Sequence, residues 1–345
     1  MKKCALSVLA LMIILVLLAG CKEKEEQPVK EEEKVQIGMI FDTFVVERWL
    51  KDRDVFVSAV KELGGEVDVQ NANGDVQNQI DQMKYFIDRK VDVIVIVPID
   101  PRILSPYVER AHRNGIKVIS YDRILANANT DLYISFDNEY VGTLMAKELR
   151  KVISRGDKAL MICGPQTDLN VFSVQKGFEE TMEAQGMEIL DIYYADGWKA
   201  EEAGRYIDEN LDKVKEVKAI MCGNDNLAWQ VIQKLSEYQL AQDIYVTGQD
   251  ADLGACQRIV EGNQYMTVYK SIESLAKEAA KAAMEMAAGK EVQTDDEIND
   301  GAYNIPFLKL TPVSVTADNM DEVIIDSGFH RREDVYLNRP DLLMN

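Results

Sequence analysis

The chain has 345 residues, 47% of them apolar and 28% charged, with a formal net charge of -20. That length is ample for two cores, and the composition is that of a folded soluble protein. An acid excess of this size argues against nucleic acid or anionic lipid as partner, since both need clustered Lys and Arg, and its plain reading is solubility.

In chain order, Met1-Lys2-Lys3 leads into the apolar run Ala5–Leu18 and the small pair Ala19-Gly20. A basic start, a short apolar core and a small-residue cleavage site predict a secretory signal over residues 1–20, too short for a comfortable membrane span. After Cys21, residues 22–34 (KEKEEQPVKEEEK) are charged and lack a hydrophobic period, as in a solvated tether.

From residue 35 onward, β-branched apolar runs alternate with helical patterns. The first series is VQIGMIF (35–41), EVDVQNA (66–72), VDVIVIVP (91–98), IKVISYD (116–122) and LYISFD (132–137). The second is KALMICG (158–164), EILDIYYADGW (188–198), KAIMCGND (218–225), DIYVTGQD (243–250) and YMTVYK (265–270). Between them lie helical periods such as Phe56, Val60, Leu63 and Leu275, Ala279, Ala282, Met286. Continuous apolar strands alternating with helices predict parallel sheets covered on both faces, and two such series predict two doubly wound α/β lobes. Gly64-Gly65, Asn114-Gly115 and Gly186 stand between a helix and the next strand, where a left-handed cap belongs.

Ligands of open α/β sheets bind beyond the carboxyl ends of the strands. Here those ends read Asp42, Asp122-Arg123, Asp137-Asn138, Asp168 with Asn170, Trp198, Asn224-Asp225, Asp250 and Lys270. Polar groups repeated in this way over both halves suit a small, neutral, polyhydroxylated ligand. Carboxylates and amides serve hydroxyls, Arg and Lys donate, and the weakly apolar face of a sugar packs on indole. Arg48-Trp49, in the first turn after the first strand, are expected to face this crevice as a donor and a stacking plate. Capping the next helix is the plainer role for Asp42, Asp137 and Asp225, and Lys51-Asp52-Arg53-Asp54 reads as a solvated helix face with local ion pairs.

Catalytic patterns are missing. No G-x-G-x-x-G follows the first strand, and no HExxH or calcium-loop spacing occurs. His112 sits near a helix end and His330 in the tail, neither beside a nucleophile motif. Cys163, Cys222 and Cys256 form no CxxC and are an odd number, so they read as small buried hydrophobes rather than as zinc ligands or disulfides. Neither an enzyme nor a cofactor or metal protein is expected.

The stretches IGMIFDTFVVERWLKDRD, VQNANGD, YDRIL, YISFDNE, ADGW, GQDADL and MTVYK resemble the periplasmic sugar-binding proteins of the ribose/galactose type. Within that family they are most similar to the D-xylose-binding proteins of bacterial ABC transporters. The similarity runs from about Val35 to the GFH near residue 330. It implies the type I periplasmic binding protein fold, two Rossmann-like lobes joined by three crossovers that close on a sugar. The N-terminal lobe would be residues 35–137 with 271–310, the C-terminal lobe 138–270 with 311–345, and the hinge would lie near Phe136–Asn138, Lys270–Ser271 and Leu310–Pro312. Carried over by motif, the sugar-binding residues would be Arg48, Trp49, Asp122 and Arg123 from the first lobe. Asp168, Asn170, Trp198, Asn224, Asp250 and Lys270 would come from the second lobe or hinge, with the two tryptophans sandwiching the ring. The chain departs from the family's pattern at Thr43-Phe44-Val45-Val46, in TDLNVFSVQKG, and in a tail, RREDVYLNRPDLLMN, that runs past the usual end.

LLAGC further resembles a lipobox, which implies lipidation of Cys21 after cleavage and attachment to the outer face of a membrane. The implied partners are a monosaccharide, D-xylose first with glucose, arabinose or several sugars as alternatives, and an ABC permease. The tail resembles that of a clostridial branch which presents xylose to a membrane sensor histidine kinase instead. A monomer is expected. A DNA-binding repressor on the same lobes is set aside by the signal and by the lack of a basic headpiece.

Overall fold

The apolar runs of the first series become strands because each is β-branched and closed by a turn. In the computed structural model, which describes residues 34–44, 48–294 and 296–343, they are β1 (Gln36–Phe41), β2 (Glu66–Asn71), β3 (Val93–Ile96), β4 (Lys117–Tyr121) and β5 (Leu132–Phe136). The signal, Cys21, nearly all of the tether, and Val45 and Val46 lie outside the described residues. Helices α1 (Arg48–Glu62), α2 (Val76–Arg89) and α3 (Ser105–Arg113) alternate with these strands. Two further strands from much later in the chain, β11 (Asp296–Asn299) and β12 (Asn304–Leu310), complete a seven-stranded sheet of order β11-β12-β5-β4-β3-β1-β2. All its pairs are parallel except β11 on β12.

Side chains alternate across this sheet. Ile37, Met39 and Phe41 face α1 and the alanine-rich α10 (Ile272–Ala287), while Ile40 faces Phe86 of α2 and Val108 of α3. Two dry layers on one sheet are the doubly wound arrangement. β2 is an edge strand, and its face is only half covered.

The second half repeats the pattern. β6 (Lys158–Cys163), β7 (Glu188–Tyr194), β8 (Ala219–Cys222) and β9 (Tyr245–Thr247) form a parallel sheet of order β7-β6-β8-β9. Backbone bonds Tyr265 N to Val246 O (3.0 Å), Gly248 N to Met266 O (3.1 Å) and Val268 N to Gly248 O (3.0 Å) carry the ladder on to β10 (Thr267–Tyr269). There the parallel expectation ends, because β10 pairs antiparallel with β13 (Val313–Val315). Helices α4 (Asn138–Leu149) and α5 (Asn170–Ala184) cover one face. On the other lie α6 (Ala200–Glu209), α7 (Leu211–Val214) and α8 (Asp225–Glu237). Helix α9 (Leu253–Glu261) packs under the C-terminal segment, where Met320, Ile324, Val335 and Tyr336 bury against Cys256, Ile259 and Val260. Among the described residues no helix is long and apolar enough to cross a membrane.

Two features join the halves of the fold and pack its helices. A Cβ on Gly142 of α4 would lie 1.9 Å from Val174 O, and one on Gly177 of α5 would lie 1.8 Å from Glu139 O. Only glycine at both positions lets these helices touch backbone to backbone. The chain also passes from one sheet's layers to the other's three times, at Asp137, at Lys270–Ser271 and at Thr311–Pro312. Two of these passages are tied together by Asp137 N donating to Leu310 O at 2.9 Å.

Candidate functional site

A cavity of about 50 Å³ lies at the carboxyl ends of both sheets. All ten residues carried over by the family motifs line it: Arg48, Trp49, Asp122, Arg123, Asp168, Asn170, Trp198, Asn224, Asp250 and Lys270. Asn138, named among the strand ends but not among the carried-over contacts, also lines it, as does Gln249, which was missed, and Cys163, Val171, Val174 and Met221 form the apolar wall. Gln249 escaped because strict alternation puts it on the opposite face from Asp250. The backbone breaks that alternation, with φ of 97° at Asp250 and 54° at Ala251. Left-handed φ at non-glycine residues is uncommon and is held only where the surroundings impose it. Asp122 (61°) and Trp198 (59°) share it.

The first sheet contributes a lattice of buried charge. Arg48 donates from Nη2 to Asp122 at 3.0 Å and from Nε to Asp52 at 3.4 Å, and its Nη1 lies 3.5 Å from Asp250 on the other side of the cavity. Arg123 holds Asp42 at 2.6 Å and reaches across to Asp168 at 2.8 Å. Lys270 Nζ lies 2.8 Å from Asp250. Asn170 adds a neutral bridge, donating to Asp122 O at 2.8 Å and accepting from Tyr133 at 2.9 Å. The cations of the lining, Arg48, Arg123 and Lys270, are matched by the carboxylates Asp122, Asp168 and Asp250. Burial pushes the Asp122 carboxyl up, but Arg48, Lys270 and Arg123 more than offset it and hold it below the usual value. For Asp168 burial prevails over the attraction of Arg123, and its carboxyl is raised.

The tryptophans are placed differently. Trp49 is 2% exposed and belongs to the first core, its ring centroid 6.1 Å from that of Phe41. The Arg48 guanidinium sits 4.5 Å and that of Arg123 5.7 Å from its ring centroid. Trp49, expected to face the crevice, does so as a core residue that also forms the cavity wall. Trp198 is half-buried and lies in the 3₁₀ turn Asp196–Trp198 after β7. Its indole rests on backbone, since a Cβ at Gly164 would come within 2.3 Å of the ring and one at Gly223 within 3.1 Å. The buried Nε1 atoms of both tryptophans find no hydrogen-bond partner among the described residues.

Several local expectations need correcting. Asp52 is not on a solvated face: it is fully buried, accepting from the Tyr121 phenol and from Arg48. Of the supposed caps, Asp137 does cap α4, accepting from Tyr140 N at 2.9 Å. Asp225 does not cap α8, because Asn224 does so through Leu227 N at 2.9 Å. Asp225 instead lies beneath the 248–252 turn, accepting from Gln264 and Thr267 at 2.8 Å each and from Asp252 N at 3.0 Å. Burial, with Asp252 nearby, raises its carboxyl well above the usual value. Asp42 accepts from Thr43 N and from Arg123.

His112 pairs with Asp131 at 2.9 Å on the last turn of α3, and His330 meets Ala251 O at 2.8 Å. Cys163, Cys222 and Cys256 are free and buried. Among the described residues no cluster of His, Cys, Asp and Glu has the makings of a metal site.

Residues 37–291 match the periplasmic binding protein domain. The D-xylose-binding periplasmic protein of Haemophilus influenzae is 39% identical over 307 residues, covering 88% of this chain and 92% of that protein. Its counterpart from Escherichia coli is 38% identical over the same length, covering 88% and 93%. A carbohydrate transporter solute-binding protein from Chloroflexus aurantiacus, solved in complex with D-glucose, shares the fold. It superposes with a TM-score of 0.81 at 24% identity, over 88% of this chain and 98% of that one. With most of its folded length matched to binders rather than enzymes, the chain belongs to the periplasmic binding protein family and has its type I fold.

Proposed function

We propose that this chain is an extracytoplasmic monosaccharide receptor whose ligand is D-xylose and which hands it to an ABC permease. The observation that carries the reading is the charge balance of the cavity, three cations against three carboxylates with two tryptophans in the walls. A charged ligand would upset that balance in a buried site, whereas a neutral polyol exchanges hydroxyl bonds with both signs. The names of the relatives from Haemophilus influenzae and Escherichia coli support the pentose. The ten residues carried over from the family motifs are the proposed sugar contacts. Because they come from both sheets, sugar favours the closed arrangement by the contacts made only there, and the three chain passages are the proposed hinge.

The test is a thermal-shift panel of D-xylose, D-glucose, L-arabinose and D-ribose on protein lacking the lipid. At a hundred times its Kd a ligand stabilises the native state by about 2.7 kcal/mol. D-Xylose is expected to give the largest shift. A shift with another sugar alone would remove the specificity and keep the receptor, and no shift with any would remove both.

We further propose that Cys21 carries the lipid anchor. Cys21→Ser should release the protein from membranes, and retention of the variant would refute the anchor. Docking on a sensor histidine kinase is a second reading, carried by the resemblance of the tail, residues 331–345. Just before that tail, Lys51 of α1 donates to Phe329 O at 3.1 Å and sits 3.8 Å from the centre of its ring. Co-purification with a permease or with a kinase decides between them.

A further inference from the structure

Arg48 is the cation on which the first side of the cavity depends, and each of its nitrogens has a carboxylate. Nη2 goes to Asp122 at 3.0 Å, Nη1 faces Asp250 at 3.5 Å, and Nε faces Asp52 at 3.4 Å. Asp122 and Asp250 line the cavity and are free to exchange Arg48 for a hydroxyl, but Asp52 is fully buried and does not reach the cavity. It stands one helical turn after Arg48 on α1, and the Tyr121 phenol, also fully buried, pins its other oxygen.

The charged and titratable groups facing Asp52 are Arg48 and Lys51 on its own helix and Tyr121 and Asp122 from β4 and its end. Burial raises its carboxyl to about 6, with Arg48 and Tyr121 opposing the rise. An ionised group in such a place works against folding, so stability gives no reason for an aspartate here. Orientation does. A guanidinium is planar, and an acceptor on Nε fixes the plane in which the two outer nitrogens lie.

We infer that Asp52 is a positioning residue for the receptor site: with Tyr121 it locks the Arg48 guanidinium in the plane that presents Nη1 and Nη2 to the sugar. The inference rests on the sugar-receptor reading. It is tested by sugar titration of the wild type, Asp52→Asn, Arg48→Lys and the double variant at pH 7.5, each also melted without sugar. Asp52→Asn should bind about tenfold more weakly, the scale of one charge-assisted hydrogen bond, yet melt no lower than wild type. In the Arg48→Lys background, which has no fork to orient, the same change should weaken binding by less than about twofold.

The idea is overturned if Asp52→Asn binds as wild type does, if its loss recurs in full without Arg48, or if the loss comes with a lower melting point. Should Asp52→Asn not fold, Tyr121→Phe replaces it in the same cycle and must show the same dependence on Arg48. If the wild type binds none of the panel sugars, the receptor reading falls, and this inference with it. If the wild type binds and the cycle is additive, this inference alone falls.

Discussion

The two sides of the cavity are ordered by different means. On the first sheet's side, Arg48, Arg123, Asp42, Asp52 and Asp122 fix one another through buried ion pairs, so side-chain charge sets the geometry. On the second sheet's side, Trp198 and Asp250 are aimed by left-handed backbone and by bare glycine at Gly164 and Gly223. Beneath them the Asp225 carboxylate accepts from the neutral groups Gln264, Thr267 and the Asp252 amide, and a Cβ on Gly248 would strike it at 2.1 Å. A lattice of charge is stiff but interdependent, because removing a cation strands its carboxylates in a medium that cannot solvate them. A backbone-aimed wall is local, and one side chain can be lost without unsettling its neighbours.

The strongest way to break this contrast is Arg48→Met against Lys270→Met. The first takes the paired cation from Asp52 and Asp122, while Asp250 keeps Lys270, and should cost about 3–5 kcal/mol of stability in urea unfolding. The second leaves Asp250 with Arg48 still beside it and should cost about 1–2 kcal/mol. Equal losses would mean that charge is spread evenly over both sides. Next comes the tryptophan pair. Trp49→Ala, in the first core, should cost about 3–5 kcal/mol as well as sugar affinity. Trp198→Ala, half-buried over glycine backbone, should lose affinity with less than about 2 kcal/mol of stability. A reversed order would place the second indole in the core instead.

A third effect is in pH. The Asp52 carboxyl is raised to about 6 in the folded chain, so it favours folding below its unfolded value and loses that contribution as pH rises through about 6. Asp52→Asn should therefore match wild type in melting near pH 4 and gain on it towards pH 8, by up to roughly 3 kcal/mol for a shift of about two units. Asp122, held low by Arg48, Lys270 and Arg123 against burial, runs the other way and loses its contribution as pH falls. Melting of Asp52→Asn below wild type at pH 8 would contradict the sign.

Much of this was legible in the residues because the fold writes itself in period and punctuation. The ten apolar runs each become a strand, and the polar strand ends converge because parallel strands all finish at the same edge. β12 escaped because Pro306 interrupts it, which ordinarily demotes a run to an edge or a loop. The burial of Asp52 was hidden as well. In the string KDRD every residue is charged, and only the position of Tyr121, far along the chain, decides which of them turns inward. The exchange of roles between Asn224 and Asp225 has the same origin, since both can cap and only the packing of Gln264 and Thr267 selects which is drawn under the turn.

The pairing of β12 with β5 sets an order of assembly. Phe307 lies opposite Tyr133 and Leu310 opposite Phe136, so the first sheet is finished by residues made near the end of the chain. Until they arrive, β5 carries a bare hydrogen-bonding edge in the middle of an apolar sheet, the kind of edge that recruits other chains. Such long-range closure is slow, and the second lobe is synthesised while the first is still waiting. A fragment cut anywhere before Leu310 inherits that open edge, so neither half of this molecule can be obtained by dividing its chain in the middle.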